Sequence, residues 1–312
     1  MPERPEMPEQ PEQPEQRQAM RWVVGLDLRP HSHGAINFAQ WLRAHDQQPA
    51  QLRIDGLHVV EARMFKLPGG KSRAEVVGEA LRAARVAVAV RDASEAFSSV
   101  NVVESIPTVD GGVVDVLTNA AGLWITDGII LGRRGAGEHG GLIRLGKVAR
   151  NLLRRLPAPT FIVPPDLELN HIGPGPIVCA VELDERGVAV ARYGERLARR
   201  LGRSARLVHV IDSGDPIGLQ YLPEGSWDDL HARQRDEAQS KIVEWRDQAG
   251  LTAYTLLAQG QTVPRLVSAA RELDACMLLC GSRRLSTVER FWISSVGSSL
   301  AAAAHLPVGV IP

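Results

Sequence analysis

One pattern occurs twice in this chain of 312 residues. Trp22-Val23-Val24-Gly25-Leu26-Asp27 is matched by Ile177-Val178-Cys179-Ala180-Val181-Glu182, and Leu57-His58-Val59-Val60 by Val208-His209-Val210-Ile211. Ile129-Ile130-Leu131-Gly132 is matched by Leu278-Leu279-Cys280-Gly281, and Leu156-Pro157-Ala158-Pro159 by Ala304-His305-Leu306-Pro307. The landmark pairs Asp27 and Glu182, His58 and His209, Gly132 and Gly281, and Pro159 and Pro307 lie 155, 151, 149 and 148 residues apart. A near-constant offset over four landmarks reads as the duplication of one folding unit of about 140 residues.

Each unit alternates short apolar runs with segments of helical period. In the first copy strands are expected at 22–27, 56–61, 100–104, 128–132 and 159–163. Helices are expected at about 33–46, 72–97 and 112–124, and after a glycine-rich loop up to about 155. In the second copy strands are expected near 177–182, 206–212, 252–257, 276–281 and 307–311. Continuous apolar strands alternating with helices imply a parallel sheet covered on both faces. The fold class is therefore α/β, with two tandem doubly wound, Rossmann-like domains. Each is expected to hold a five-stranded parallel sheet of order 3-2-1-4-5. The last strands of the copies, 159–163 and 307–311, would leave open edges, so the domains are expected to pair through them. Residues 1–20, with Pro2, Pro5, Pro8, Pro11 and Pro14 at every third place, read as a disordered tail. The domains then run over 21–164 and 176–312, with a proline- and glycine-punctuated linker at 165–175.

Composition narrows the function. Lys and Arg total 36, as do Asp and Glu, so there is no basic footprint for nucleic acid. Aromatics are only 4%, against a base-stacking platform. No apolar run reaches the ~18 residues of a membrane helix, and no signal peptide is visible. Three cysteines make no disulfide framework. A cytoplasmic protein without nucleic-acid or membrane partners is expected. Cys276 and Cys280 lie four apart on an expected strand, roughly 13 Å at ~3.3 Å per residue, and read as buried thiols. His31 and His33 lack further ligands nearby for a metal site. There is no G-x-S-x-G elbow and no Ser–His–Asp set, so no catalytic residues are assigned and the chain reads as a non-enzyme. Arg196, Arg199, Arg200, Arg203 and Arg206 near the end of a helix read as a solvated face.

In a doubly wound sheet, ligands sit beyond the carboxyl ends of the strands at the switch point. There the first copy places Asp27 and the stretch 132–147, with five glycines between Gly132 and Gly141. Such a loop lets backbone N–H groups approach a phosphate. Arg133, Arg134, Arg144 and Lys147 are expected to supply positive charge. Gly135–Gly140 fits G-x-G-x-x-G, but it follows the fourth strand rather than the first. Gly141–Lys147 fits G-x-x-x-x-G-K, but Val148 stands where magnesium-binding Ser or Thr belongs.

Both units resemble the universal stress protein family in its tandem two-domain form. The resemblance rests on the strand-1 acid, the His-Val end of strand 2, and the family's G-x2-G-x9-G-(S/T) after strand 4. It implies an adenine-nucleotide site in the first copy, taking ATP with Mg, formed by Gly25, Leu26, Asp27, Val59, Leu131, Gly132, Gly135, Gly146, Lys147 and Val148. Two features depart from the pattern: ten residues rather than nine separate Gly135 from Gly146, and Lys147 replaces the hydroxyl residue. The second copy reads as degenerate, with Glu182 for Asp, Arg284 for the second glycine, Ser294-Ser295 for the last, and bulky Phe291 and Trp292 in the loop. The expected role is a non-catalytic, nucleotide-responsive stress protein, with a homodimer as a further expectation. The alternative is a degenerate scaffold of the same family that binds proteins and no nucleotide.

Overall fold

The computed structural model describes residues 19–29, 32–62, 65, 71–105, 112–133, 145–211, 226–282 and 296–312. The first copy holds β1 (Met20–Gly25), α1 (His33–His45), β2 (Leu52–Val60), α2 (Arg73–Ala89), β3 (Ser99–Glu104), α3 (Gly112–Trp124), β4 (Gly128–Gly132), α4 (Lys147–Arg155) and β5 (Thr160–Val163). The second holds β6 (Ile177–Ala180), α5 (Glu185–Arg200), β7 (Ala205–Ile211), α6 (Ser226–Gln248), β8 (Tyr254–Gln259), α7 (Thr262–Glu272), β9 (Met277–Gly281), α8 (Val296–Ala303) and β10 (Val308–Ile311). Within each copy the strands are parallel in the expected order, β3-β2-β1-β4-β5 and β8-β7-β6-β9-β10.

The two sheets meet where expected. β5 and β10 pair antiparallel, with Val308 opposite Ile162, Gly309 opposite Phe161 and Val310 opposite Thr160. Ten strands thus form one sheet. The approach is close: a Cβ on Gly309 would stand 2.6 Å from Leu279 and 2.7 Å from the Phe161 ring. The core follows the sheet rather than the copies. One apolar layer joins Trp22, Phe38 and Phe161 to Tyr193, Leu197 and Leu279, and the other joins Val23, Leu117 and Leu152 to Leu266, Leu300 and Val308. Phe161 packs edge-on to Trp22 at 5.0 Å and tilted against Tyr193 of the other copy at 6.3 Å.

Polar contacts fix this junction, and here a sequence expectation is corrected. Arg200 is not on a solvated face: Nε donates to the Asp46 carboxylate at 2.8 and 2.9 Å, with the two side chains only 9% and 2% exposed. Its Nη1 and Nη2 donate to Gln48, and the Gln47 N–H donates to its carbonyl at 2.8 Å. Arg203 likewise reaches the Pro174 carbonyl and lies over the Trp41 ring, while Arg196 and Arg206 lie over Tyr193 and Tyr254. Arg200, Arg203 and Arg206 of one predicted solvated cluster therefore have partners that local sequence does not reveal, while that of Arg196 lies one turn away on the same helix.

The segment between the copies is a packed strap. Leu167 and Ile172 are buried, and Asn37 on α1 donates to the Leu167 carbonyl at 2.7 Å. Arg91 donates to Asn37 Oδ1 at 3.0 Å and pairs with Glu168. Arg91 is free to do so because α2 ends at Ala89 rather than near 97. Asp92 takes a left-handed φ of 52°, and a 3-10 turn follows at Ser94–Ala96. β1 likewise stops at Gly25, so Asp27 lies beyond the strand. β2 begins earlier than expected, at Leu52, because Arg53 and Asp55 interrupt its apolar run. Asp55 is fully buried: it accepts from Arg21 Nε at 2.8 Å, from Arg53 Nε at 3.0 Å and from the Ser99 hydroxyl at 2.7 Å. Burial pushes its carboxyl up, but Ser99, Arg53 and Arg21 together hold it below its ordinary value. The cysteines are buried as expected, and burial raises the Cys276 and Cys280 thiols to about 12.

Two outcomes are expected. A carboxyl whose folded pKa lies below its unfolded value stabilises the fold above the unfolded value and loses that contribution as pH falls through the folded one. Asp55 therefore contributes at neutral pH and ceases to below its ordinary value of 3.8. Asp55→Asn should lower stability by about 2 kcal/mol at pH 7 and flatten the acid limb of the denaturation profile. An unchanged acid limb would contradict this. Removing one partner of the interdomain pair, as Asp46→Leu or Arg200→Met, should cost about 3 kcal/mol in urea unfolding, and the double variant distinctly less than the sum. Additive losses would show the pair to be uncoupled.

Candidate functional site

The switch point of each copy is built by the ends of its first and fourth strands. In the first copy Gly25 sits opposite Leu131 and Leu57, and Gly132 opposite Val163. The chain then leaves the sheet: the Leu26 N–H donates to the Leu57 carbonyl at 2.9 Å. The Leu26 carbonyl takes a bond from His58 Nδ1 at 2.7 Å. Asp27 follows with its carboxylate 59% exposed and 3.9 Å from Arg29 Nε. Ser32 Oγ turns back onto the Asp27 carbonyl and closes the turn into α1. Val59 is half-buried near the end of the neighbouring strand. Gly146 is the N-cap of α4, and Lys147 is its first residue, exposed to solvent; Val148 is half-buried beside it. A lysine at a helix N-terminus opposes the helix dipole unless an anion lies nearby. The structure thus brings Gly25, Leu26, Leu131 and Gly132 to one sheet end. Gly135 and residues 134–144, like His31, lie outside the described residues.

Arg133 departs from its expected role. It is 7% exposed and turned away from the sheet end, with Nη1 2.8 Å from the Ala302 and Ala304 carbonyls and 3.3 Å from that of Ala301. Burial pushes its guanidinium pKa down, with Asp166 acting the other way. Three carbonyls of the other copy, rather than a phosphate, take its charge.

The second copy repeats the strand-end device with different side chains. The Val181 N–H donates to the Val208 carbonyl at 3.0 Å, and His209 Nδ1 meets the Val181 carbonyl at 2.9 Å. The histidine repeat was visible in the sequence, but its work, holding the strand-end carbonyl, was not. Asp184 caps α5, accepting from the Gly187 N–H at 2.9 Å and from Arg186 Nε at 3.1 Å. Around these groups opens a cavity of about 260 Å³. Its wall includes Val181, Glu182, Val210, Cys280, Gly281 and Val296. By topology these are the counterparts of Leu26, Asp27, Val59, Leu131, Gly132 and Lys147. A Cβ on Gly281 would stand 3.3 Å from Val190 in the same wall, so glycine keeps it open. A cavity therefore lies in the copy whose sequence looks the more degenerate. Among the described residues no cluster of three His, Cys, Asp or Glu side chains could hold a metal, and no helix is long and apolar enough to cross a membrane.

These features define a tandem doubly wound α/β protein with a cavity at the strand ends of its second copy. A family model described as the universal stress protein family matches residues 19–164 and 175–312. The chain belongs to the universal stress protein family. A universal stress protein of Methanocaldococcus jannaschii is 23% identical over 138 residues, covering 43% of this chain and 80% of its own. One of Bacillus subtilis is 22% identical over 127 residues, covering 40% and 83%. Among solved structures, a universal stress protein from Archaeoglobus fulgidus aligns with TM-score 0.62 at 17% identity, over 95% of this chain and 99% of that one. At that identity the likeness shows the fold.

The histidine device makes a prediction. His58→Phe and His209→Phe each leave a strand-end carbonyl without its donor, at a cost of about 1 kcal/mol in denaturant unfolding. Unchanged midpoints for both would exclude the role.

Proposed function

We propose that this chain is a nucleotide-responsive stress protein that binds an adenine nucleotide at its strand ends and catalyses no reaction. The observation that supports the reading is the cavity beside β6 and β9. It occupies, in the second copy, the positions that the family pattern marks in the first, and its volume approaches the ~300 Å³ at which small-molecule sites begin. In the first copy Gly25, Leu26 and Val59 would bound the base and ribose, with Asp27 accepting from their donors or holding Mg. The amides of Gly132, Gly135 and Gly146 would face the phosphates. Lys147 and Val148 open α4, where the helix dipole and the lysine both favour an anion. The residues present fit ATP with Mg in charge and in leanness of the strand ends.

Calorimetry tests the reading. Wild type should bind Mg-ATP, and Gly135→Val should abolish binding at that site while leaving the unfolding midpoint within about 0.5 kcal/mol of wild type. Lys147→Ala should weaken ATP by about five- to tenfold and adenosine hardly at all, because only a charge contact is lost. No binding by wild type at millimolar Mg-ATP would leave the protein-binding scaffold as the reading. Tighter binding by Lys147→Ala would make the lysine a plug.

A further inference from the structure

Arg133 stands at the root of the first copy's glycine loop and holds the end of a helix in the second. Its own N–H donates to the Val163 carbonyl at 2.6 Å, which ties its backbone to β5 at the junction. Its Nη1 meets the carbonyls of Ala301, Ala302 and Ala304 at the end of α8. A helix end leaves its last carbonyls without intrahelical partners, and a cation there meets the negative end of the dipole. The other end of α8, Val296, lines the second copy's cavity. Eight residues at 1.5 Å each make α8 about 12 Å long. One short helix therefore joins the cavity wall of one copy to the loop root of the other.

This link resists slippage. The guanidinium is buried, and among the described residues its Nε has no partner. If α8 slid by about 1 Å, bonds of 2.8 Å would pass out of hydrogen-bonding range. A buried cation would then lose its acceptors, which is costly. The cheaper response is for Arg133 to follow, and any part of that shift taken by its backbone is passed to Gly132 at the end of β4. Among the described residues the link has no reciprocal. Ser282, the counterpart of Arg133, repeats the backbone bond, to the Ile311 carbonyl at 3.0 Å. Its short side chain cannot span the junction to α4.

We propose that Arg133 is a positioning residue that couples the strand end of the first copy to the cavity of the second: the loop root of the first copy and the cavity wall of the second move together, so that binding at either alters the other. The coupling is a property of the unliganded chain; its ligand response rests on the nucleotide reading above.

Hydrogen exchange on the full chain tests it. The variants are Arg133→Met, which keeps bulk and removes the donors, Gly297→Ala, and the two combined. A Cβ at Gly297 would stand 3.2 Å from Val310, so Val310 or the first turn of α8 must give by a few tenths of an ångström beside the cavity. Gly297→Ala alone should speed exchange in the first copy's segment 145–155 by about fivefold, a factor at the low end of coupled sites. In the Arg133→Met background it should add nothing there, and Arg133→Lys should restore part of the effect. Protection of 160–163 and 308–311 in every variant serves as the control for an intact junction. No response at 145–155 to Gly297→Ala, or effects that simply add, would overturn the proposal. A second arm adds Mg-ATP. In wild type both 145–155 and 296–303 should change, and in Arg133→Met only the segment of the occupied copy. Equal responses with and without Arg133 would likewise overturn the coupling. If wild type binds no Mg-ATP, the nucleotide reading falls and the exchange cycle alone decides the coupling.

Discussion

Everything distinctive in this molecule hangs on three facing residue pairs between β5 and β10. Each strand is the last of its copy, four residues long and fully buried. Left unpaired, either would present open backbone donors and acceptors along an apolar edge. Joined antiparallel, they turn two sheets into one and let each apolar layer run across both copies. The register also places Phe161 against Tyr193, brings α1 beside α5 so that Arg200 reaches Asp46, and carries the root of the first glycine loop to the end of α8. A slip by one residue would turn the apolar faces over, so the register is strongly specified.

The strand ends of the two copies show what this frame holds fixed and what it releases. The shared parts are those that hold the backbone: the first strand's exit onto its neighbour, and the histidine side chain that takes up the strand-end carbonyl. The parts that differ are side chains beyond the strand ends. The first copy has an exposed Asp27 beside Arg29, a serine-closed turn and a lysine opening α4. The second has Glu182, an aspartate-capped helix and a valine opening α8. Chemistry can diverge there because little of the junction's stability depends on it.

Legibility in the sequence follows the same division. α3 and β4 match their expected spans because turn residues bound them and their periodicity is local. The parallel sheets followed from the alternation of elements, and the β5–β10 pairing from the need to cover two apolar edges together with the resemblance to the tandem family. β2 was read short because a buried carboxylate with arginine partners looks like a polar break until Arg21 on the adjacent strand is seen. Arg200 and Arg133 were misread for a stronger reason. Their acceptors lie 154 and about 170 residues away, and an arginine's reach is not written in its neighbours. For the candidate site, the glycines and the strand-1 acid were legible as motifs. That the second copy keeps a cavity was not, because an open space depends on how walls from several elements meet.

The asymmetry of Arg133 bears on why the two copies share a chain. In a two-fold dimer of identical subunits every contact occurs twice, so an arginine at this position would cap both partner helices. Here the counterpart is serine, and among the described residues the arginine cap is seen at α8 and not at α4. Such a one-sided link is open to two copies that differ in sequence, as these fused halves do, and not to a dimer of identical subunits. The packed strap between the copies keeps the fused halves in one arrangement, anchored to α1 through Asn37 and Arg91 and to the second copy by the Gly175 N–H on the Asp274 carbonyl. With the relative position of the halves fixed by strap, junction and buried ion pair, a single side chain suffices to carry displacement from one copy's strand ends to the other's. A looser pairing would absorb the movement before Arg133 felt it.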